Sequence, residues 1–436
     1  MPGVRLVIDP CDDLRWVCCR GANMIEKIER AVSRRLPEAV ELLRQLIRFP
    51  SVPGEEQAVL EFLRDCCLRS SLEARVIPIP ESIKSDEDYS HGDRELSYAG
   101  RGNLVLGIEG TGGGRSIILQ SHLDVVPADP QWQEAFDGRL DGDWVHGRGA
   151  VDAKGQCVTI LLGLLALRDA GVKLKGSIEA QFVIEEEIGG NGALALIQAG
   201  HRAEAALIVE GTNLQIHPAN RGALWFRAKV TGKSVHMGRI REGVSAIAQA
   251  MELIAMLRGY EQRLIAESKG QELFARYQQP VQLNVGMMRA GDWPATVPGE
   301  AVLEGGIGFL PDKAIADLKR ELREVVEQQA GPWLKEHCEI DFPKLHNDAY
   351  QTSPEHPFVR ALAEACHQAG LSSEVFGWNV SCDARLYHHR GGMPTVVFGP
   401  GDIAQAHSTH EKLDTRDSAK AATAIAALLA DWCGVA

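Results

Sequence analysis

The sequence lacks any surplus of positive charge and any long apolar run. Its 436 residues carry 46 Lys and Arg against 59 Asp and Glu, which gives a net charge of −13. This balance disfavours nucleic acid or an anionic membrane surface as the main partner. No stretch approaches the roughly 18 apolar residues that a membrane span needs. We therefore expect neither a nucleic acid partner nor a membrane partner.

Cysteine is present, but never in the spacing of a metal or redox motif. The ten cysteines include the adjacent pairs Cys18–Cys19 and Cys66–Cys67 and no Cys-x-x-Cys. This spacing argues against a zinc ribbon and against a thioredoxin-type site. Charged residues interrupt the first 23 positions, so they do not form a secretion signal. We therefore expect reduced thiols and a cytoplasmic location.

The rest of the composition is that of a globular enzyme, with 45% hydrophobic and 24% charged residues. The length suits two domains, or one large domain with an insertion. Residues 1–23 are interrupted by Asp and Arg, and we expect them to be a poorly structured N-terminal extension. An amphipathic helix is predicted to begin at Met24.

Several predicted apolar strands end in residues that can bind metal ions. One strand leads to His122 and Asp124, whose side chains point to the same side of an extended chain. Asp152 stands just before an apolar helix, glutamates 185–187 follow a second strand, and Glu210 ends a third. Each residue alone is ordinary. Together, these carboxylates and an imidazole suit zinc, manganese or cobalt at a site of two metal ions.

The order of apolar segments predicts an α/β fold in two parts. Residues 216–345 follow the β-α-β-β-α-β order of a ferredoxin-like unit and are predicted to be an inserted domain. Residues 24–215 and 346–436 on either side are predicted to form one catalytic, metal-binding domain.

Local patterns add three expectations within the catalytic part. Ser82–Gly102 is polar and without periodicity, which is typical of an exposed excursion. Asn103–Glu109 and Ser116–Gln120 are predicted to be paired strands around the glycine-rich turn Gly110–Gly114. Ser373–Gly377 is predicted to be a strand near the C-terminal end.

Five ordered motifs carry a family resemblance. They are Ser121–Pro127, Gly147–Gly155, Glu185–Gly190, Glu210, and Gly399–Gly401 followed by His407. On these motifs the chain from Met24 onward resembles the M20 family of metallopeptidases and deacylases, in the branch of acetylornithine deacetylase and succinyl-diaminopimelate desuccinylase. The resemblance implies a zinc-peptidase-like catalytic domain with a mixed sheet flanked by helices. It also implies that the inserted ferredoxin-like α+β domain serves as a lid and dimerisation domain.

The resemblance implies a metal ligand at each of five positions. Asp152 would bridge two divalent metal ions, zinc in the first place and manganese or cobalt as alternatives. His122 and Glu210 would bind one ion, and Glu187 and His407 the other. These assignments come from the family and not from spacing alone.

The resemblance also implies the residues that act on the attacking water. Glu186 would be the general base, and Asp124 would orient His122. Glu411, shortly after His407 in the chain, would support that histidine. Metal coordination lowers the pKa of a water molecule towards neutrality, which suits a carboxylate base.

Two further residues are expected to bind the substrate. His236 matches a histidine on the inserted domain that donates to the developing oxyanion, often across a dimer interface. Arg385 matches an arginine that holds a substrate carboxylate, and Asp383 is a candidate structural partner for it. The chain departs from many relatives at Ala295 and Gly308, where Asn and Arg are common. These departures put the usual recognition of an amino-acid carboxylate in doubt.

The favoured interpretation is therefore a homodimeric two-metal hydrolase. Its substrate would be a small molecule with an amide bond, either an N-acyl amino acid or a dipeptide-like compound. One alternative is a hydrolytic amidase or deaminase acting on another C–N bond, such as that of an aromatic amine or amide. A second alternative is a non-catalytic binding protein that keeps the fold.

Overall fold

The computed structural model describes residues 11–92 and 95–436, with side chains from residue 23 onward. Ten α-helices lie in these ranges: α1 (Cys11–Ile47), α2 (Gln57–Arg69), α3 (Lys154–Asp169), α4 (Asn191–Gln198), α5 (Ala246–Glu267), α6 (Ile315–Gln329), α7 (Pro332–His337), α8 (Pro357–Gln368), α9 (Ala384–His389) and α10 (Thr415–Trp432). Sixteen β-strands lie in the same ranges: β1 (Ala74–Pro78), β2 (Gly102–Ile108), β3 (Ile117–His122), β4 (Arg139–Asp141), β5 (Trp144–His146), β6 (Ile178–Val183), β7 (Ala206–Ile208), β8 (Ala219–Asn220), β9 (Gly222–Thr231), β10 (Gln282–Ala290), β11 (Glu300–Phe309), β12 (Cys338–Asp341), β13 (His346–Asn347), β14 (Tyr350–Gln351), β15 (Thr395–Val397) and β16 (Lys412–Asp414).

The first sheet has six strands in the order β1-β2-β6-β3-β7-β15. Strands β6, β3, β7 and β15 run parallel to one another, whereas β2 is antiparallel to β6 and β1 is antiparallel to β2. The sheet is therefore mixed, as predicted. Helix α3 packs on β3, and α9 packs on β7 and β15.

Strand β3 lies at the centre of the main hydrophobic core. All six of its residues are buried, which is why its sequence begins as a continuous apolar run and does not alternate. Helices α1 and α10 pack on α3, and α8 packs on α10, so β3 is far from solvent. No helix in the described part of the chain is long and apolar enough to cross a membrane.

Strands β2 and β3 are not paired, so the prediction of a hairpin around Gly110–Gly114 is wrong. Strand β6 lies between them, antiparallel to β2 and parallel to β3. The glycine-rich segment bonds to the turn before β6: the Thr111 and Gly112 N–H groups donate to the Leu174 and Lys175 carbonyls. These contacts join residues 111 and 112 to residues 174 and 175, which are far apart in the sequence, so local turn chemistry does not reveal them.

The second sheet is antiparallel, with the order β10-β11-β9-β12 and β13 paired with β9. Its chain order, β9-α5-β10-β11-α6-β12 with the short α7 before β12, confirms the predicted β-α-β-β-α-β arrangement. One face of β9, including Leu224 and Phe226, lies in a separate core with residues of α5 and α6. The boundary of the inserted domain at residues 216–345 stays a prediction.

Three local predictions differ from the structure. Helix α1 spans Cys11–Ile47, so it begins before Met24, and the described part of residues 1–23 is helical. Residues 1–10 lie outside the described residues. Ser373–Gly377 makes only an isolated bridge at Val375 and is not a strand. Among the described residues of Ser82–Gly102, five side chains are buried: Ile83, Tyr89, Ser90, Tyr98 and Arg101.

The packing of the glycine-rich segment gives a stability prediction. A Cβ at Gly114 would overlap the Cys433 carbonyl oxygen and the Gly176 nitrogen, both backbone atoms that cannot rotate away. We expect Gly114→Ala to lower the free energy of unfolding by about 1–3 kcal/mol, as overpacking does elsewhere. Urea denaturation of the variant and of the unaltered protein measures this difference in the free energy of unfolding. The control is Gly107→Ala, whose Cβ meets no other described atom within 4 Å; equal stability of the two variants would contradict the packing.

Candidate metal centre

The candidate metal centre lies at one end of the first sheet, where three neighbouring parallel strands finish. Strand β3 ends with His122, and Glu210 follows β7. Glu186 and Glu187 follow β6, while Asp152 precedes α3. Because the carboxyl ends of neighbouring parallel strands meet at one edge of a sheet, residues distant in sequence arrive at the same place.

His122, Asp152 and Glu210 form the first group of possible metal ligands. One ligand atom of each lies within 4.8 Å of the others. The Nε2 of His122 is 3.1 Å from Asp152 Oδ1 and 3.6 Å from Glu210 Oε1. All three residues are buried. Their spacing is that of side chains that converge on one ion.

Asp152, Glu187 and His407 form the second group, again with ligand atoms within 4.8 Å of one another. The Nε2 of His407 is 3.1 Å from Asp152 Oδ2 and 3.1 Å from Glu187 Oε2. Asp152 thus offers one carboxylate oxygen to each group. The structure brings together all five residues predicted as ligands and gives Asp152 the position between them.

Glu186 lies beside the two groups and belongs to neither. Its Oε2 is 4.0 Å from the Nε2 of His122. The carboxylate of Asp124 accepts from the backbone N–H of Glu186 at 3.3 Å and from that of Glu187 at 3.0 Å. Asp124 Oδ1 is also 3.4 Å from Nδ1 of His122, whose other contact there is the Asp124 carbonyl at 3.0 Å. Asp124 therefore fixes His122 and the Glu186–Glu187 backbone together.

Burial raises the pKa values of the carboxylates of the centre. It raises the pKa of Glu187 to about 7, and the negative charge of Asp152 adds to the effect. Burial likewise raises the pKa of Glu186 and of Glu210 well above the ordinary range, although the charge of His122 opposes it. Carboxylates in this position are stabilised in their charged form by a cation.

The pKa values of the two histidines are raised as well, in their case by the carboxylates around them. Burial lowers the pKa of His122, but the charges and hydrogen bonds of Glu210, Asp124 and Asp152 outweigh it and raise that pKa well above its usual value. Hydrogen bonds from His407 to Asp152 and Glu187 raise the pKa of His407 to about 10. Without metal ions, protonated imidazoles therefore supply the positive charge that the carboxylates need.

The donor set fits divalent metal ions. It combines imidazole nitrogen with carboxylate oxygen, which suits zinc, manganese or cobalt. Glu210 Oε1 is buried and has no hydrogen-bond partner among the described residues, so one lone pair is left for a ligand from outside the chain. A buried acceptor without a partner costs free energy unless something binds it.

Glu411 supports the Asp152 loop and not, as predicted, His407. Its Oε1 accepts from the backbone N–H groups of Val151 at 3.0 Å and Asp152 at 3.1 Å. Its Oε2 accepts from Arg148 Nη1 at 2.6 Å. Both charged side chains are buried, so this pair fixes the backbone from which the Asp152 side chain reaches both ligand groups.

Glu185, the first of the three consecutive glutamates, has a structural partner. Its carboxylate lies 2.6 Å from Arg101 Nη1 and accepts from the Tyr98 hydroxyl at 2.6 Å. Arg101 also contacts Glu56 at 2.7 Å. Only two of the three glutamates therefore face the centre. Arg101 and Tyr98 come from the segment that the sequence predicted to be exposed, and no sequence signal pairs them with Glu185.

Arg385 and Asp383 lie close to the centre but make separate contacts. Arg385 Nη2 donates to the Gly189 carbonyl at 3.0 Å, and Nη1 is 3.8 Å from Asp88 Oδ1. Asp383 accepts from Gln120 at 2.9 Å, and burial raises its pKa to about 7. Asp383 is therefore anchored on the strand that ends in His122, which sequence reasoning missed. Substrate binding by Arg385 stays a prediction.

His236 lies on the second sheet's side of the molecule and is exposed. Its Nδ1 accepts from the Gly238 N–H at 3.1 Å, and its backbone forms a bridge with Thr296. No contact between His236 and the predicted metal ligands is found in residues 11–92 and 95–436 of this one chain. The predicted role of His236 therefore depends on a second copy of the chain or on movement of the second sheet.

A mixed α/β sheet whose strand ends gather two ligand groups around one carboxylate defines a metal-dependent hydrolase. The sequence profile of peptidase family M20/M25/M40 matches residues 118–431. The chain therefore belongs to this family, whose members related to it hydrolyse C–N bonds. The family predicted from the motifs is confirmed.

Two relatives illustrate the reactions found at this level of similarity. Acetylornithine deacetylase of Myxococcus xanthus is 30% identical over 344 residues, covering 76% of this chain and 84% of that protein. N-formyl-4-amino-5-aminomethyl-2-methylpyrimidine deformylase of Halalkalibacterium halodurans is 23% identical over 439 residues, covering 94% and 98%. Both names describe the removal of an acyl group.

Solved structures share the fold at low sequence identity. The dipeptidase Dug1p of Saccharomyces cerevisiae superposes with a TM-score of 0.75 at 15% identity, covering 94% of this chain and 99% of that one. The dinuclear metal-binding peptidase YXEP of Bacillus subtilis superposes with a TM-score of 0.66 at 19% identity, covering 92% and 99%. The predicted α/β fold class is thereby confirmed.

The charges of the centre give a prediction for the metal-free protein. A carboxyl with a raised pKa binds its proton more tightly when folded, so the stability from Glu187 is full below pH 4.5 and is lost as the pH rises through about 7. The stability from His407 is likewise full below pH 6.5 and is lost towards about 10. We therefore expect the chelated protein to lose stability from about pH 5.5 to about pH 8.5.

Metal binding has the opposite pH dependence, because the ions displace the protons of both groups. Urea denaturation with chelator and with added zinc, across the same pH range, measures the two curves. Glu187→Gln is the control and is expected to flatten the metal-free curve. A metal-free protein that gains stability as the pH rises would contradict the assignment of the charges.

Proposed function

We propose that the protein hydrolyses the amide bond of a small N-acyl amino acid or dipeptide-like compound, using two divalent metal ions and Glu186 as the general base. The observation that most directly supports this proposal is the position of Asp152. Its Oδ1 contacts His122 and its Oδ2 contacts His407. A shared carboxylate between two ligand groups suits a pair of ions. Membership of the M20 family supports the same conclusion.

His122 and Glu210 would hold one ion, Glu187 and His407 the other, with Asp152 between them. Zinc suits the mixture of imidazole and carboxylate, and manganese or cobalt are alternatives. When bound, such ions supply Lewis-acid activation of a water molecule and of the substrate carbonyl. Metal analysis of protein purified without chelator identifies the ions and their number.

Glu186 is well placed to act as the general base, because its carboxylate lies near the predicted metal ligands and is not itself one of them. Its backbone is held by Asp124, so its carboxylate is fixed beside His122. Burial raises its pKa, and a base with a raised pKa accepts a proton more readily at neutral pH. Glu186 takes a proton from the attacking water at a carboxylate oxygen and returns it to the leaving nitrogen.

Deacylation is the reaction that the names of the two relatives share. One relative is named for an acetylated amino acid, which agrees with the first substrate class. The other is named for a formylated aminomethylpyrimidine and aligns with nearly the whole chain. An amide of an aromatic compound is therefore the second candidate substrate. Release of a carboxylate and an amine, against release of ammonia, separates deacylation from deamination.

Replacement of the base gives the central test. We expect Glu186→Gln to lower kcat by about 10²- to 10⁴-fold, because the proton of the attacking water loses its acceptor. The assay uses N-acetyl amino acids, dipeptides and an N-formyl arylmethylamine. Metal content is the control and should stay at the wild-type value, since Glu186 is outside both ligand groups. Full turnover by Glu186→Gln would contradict the role of the base.

We also propose a homodimer that forms through the inserted domain. Four exposed apolar side chains of the predicted inserted domain are named the second-sheet patch: Met237, Ile240, Met251 and Trp293. Strand β10 is an edge strand of the second sheet and exposes Met287 and Met288. An apolar patch beside a free strand edge is typical of a protein interface. The cytoplasmic location stays a prediction.

Hybrid dimers test whether His236 acts in the partner's site. Glu186→Gln and His236→Ala are each expected to be nearly inactive alone. After mixing and subunit exchange, about a quarter of the wild-type activity should return, because half of the dimers are hybrids with one complete site each. Light scattering confirms the dimer. The absence of any recovery after proven exchange would contradict action across the interface.

A further inference from the structure

Glu185 has a left-handed backbone conformation at the point where the chain leaves β6. Its φ angle is 63°. A residue with a Cβ rarely adopts this conformation, and it persists only where surrounding contacts fix it. Glu185 directly precedes Glu186, the proposed base, and Glu187, a predicted metal ligand. The backbone strain therefore lies immediately before the residues on which the proposed reaction depends.

Glu186 and Glu187 are consecutive, yet both side chains reach the candidate metal centre. Glu186 Oε2 lies 4.0 Å from Nε2 of His122, and Glu187 Oε2 lies 3.1 Å from Nε2 of His407. Consecutive side chains of an extended strand point to opposite faces of its sheet. The chain must therefore leave the extended conformation of β6 before residue 186, and the left-handed Glu185 stands at that point.

Three side chains hold the carboxylate of Glu185, which is fully buried. Arg101 Nη1 lies 2.6 Å from its Oε1. Its Oε2 accepts from the Tyr98 hydroxyl at 2.6 Å and from Asn191 Nδ2 at 2.9 Å. Contacts to an ionised group are strong where water is excluded. They fix the side chain of Glu185 and, with it, the backbone to which it is attached.

The groups that hold Glu185 are themselves held by the rest of the protein. Arg101 Nη2 lies 2.7 Å from Glu56, the residue before α2. The ring of Tyr98 packs edge-on against that of Tyr89, with 6.5 Å between the ring centroids. Burial and the charge of Glu185 raise the pKa of Tyr98, so its hydroxyl keeps the proton that it donates. The anchor is therefore rigid and independent of the metal ligands.

We propose that Glu185 is a positioning residue. Its carboxylate, held by Arg101 and Tyr98, fixes the left-handed turn that directs Glu186 towards the attacking water and Glu187 towards its ion. Glu185 acts through the backbone, since it belongs to neither ligand group found in the described part of the chain. The inference rests on the proposed function, from which the roles of Glu186 and Glu187 are taken.

Two substitutions at position 185 that differ by one methyl group test the proposal. Glu185→Ala and Glu185→Gly both remove the carboxylate and its three contacts. Only glycine adopts a left-handed backbone without steric cost. Arg101 keeps Glu56 as its partner in both variants, so neither leaves a buried cation unpaired. Any difference between the two variants therefore reports the backbone conformation and not the lost charge.

The expected difference is in kcat. With zinc at saturation, Glu185→Ala should lower kcat by about 10- to 100-fold, because the base is displaced from the attacking water. Glu185→Gly should keep a kcat at least about tenfold higher than that of Glu185→Ala. KM should change by less than about threefold in both variants, since no contact with the substrate is removed.

Zinc affinity gives a second readout that does not depend on turnover. Glu187 follows the same turn, so Glu185→Ala should weaken zinc binding by about 10- to 100-fold. Glu185→Gly should bind zinc nearly as tightly as the unaltered protein. Competition with a chromophoric chelator measures both affinities.

Tyr98→Phe and Tyr260→Phe form a matched pair of milder variants. Each removes a hydroxyl that donates to a glutamate, Tyr98 to Glu185 at 2.6 Å and Tyr260 to Glu321 at 3.0 Å. Both tyrosines are 2% exposed, but Tyr260 belongs to the second core. We expect similar shifts of the urea midpoint, with kcat lowered about 3- to 10-fold in Tyr98→Phe alone. An equal loss of kcat in both would indicate a general structural effect and overturn the proposal.

The outcomes separate this proposal from the proposed function. If the unaltered protein hydrolyses its substrate, while Glu185→Ala and Glu185→Gly have equal kcat and equal zinc affinity, the positioning role is wrong and the proposed function stands. If the unaltered protein hydrolyses none of the substrates, while Glu185→Gly still binds zinc more tightly than Glu185→Ala, the positioning role stands and the proposed function is wrong.

Discussion

The structure depends on the compensation of negative charge around Asp152. At the ends of strands that the sheet brings together, Asp124, Asp152 and Glu210 are buried and Glu186 and Glu187 are half-buried. Burial alone favours their protonated forms, as the raised pKa of Glu187 shows. Only cations, either protonated imidazoles or metal ions, make the ionised arrangement stable. The rest of the catalytic part holds these side chains where that compensation is possible.

Buried polar contacts fix the backbone on which the centre is built. Asp124 accepts from the N–H groups of Glu186 and Glu187, and Glu411 accepts from that of Asp152. Arg101 neutralises the remaining glutamate of the triplet, at position 185. These contacts do not involve the reacting atoms. They limit the movement of residues whose roles require spacings accurate to a fraction of an ångström.

No residue of the second sheet belongs to either ligand group found in the described part of the chain. The guanidinium of Arg221 lies over Gly308, and the exposed His236 is followed in the chain by the exposed Met237. Many relatives have Arg where this chain has Gly308. A larger residue at this position would displace the Arg221 side chain. A glycine that weakens one expected contact thus makes room for another cation from the neighbouring strand.

The sequence by itself determined the family, the α/β class, the β-α-β-β-α-β order and the five residues that gather at the centre. The fold class and the order of elements follow from apolar runs and polar strand ends, which are local patterns. The family and the five ligand positions follow from the resemblance of five motifs. Only the tertiary structure decided that β6 separates β2 from β3, that Glu185 pairs with Arg101, and that Glu411 holds Asp152. Those contacts join distant segments through charge and packing, so no local pattern of residues encodes them.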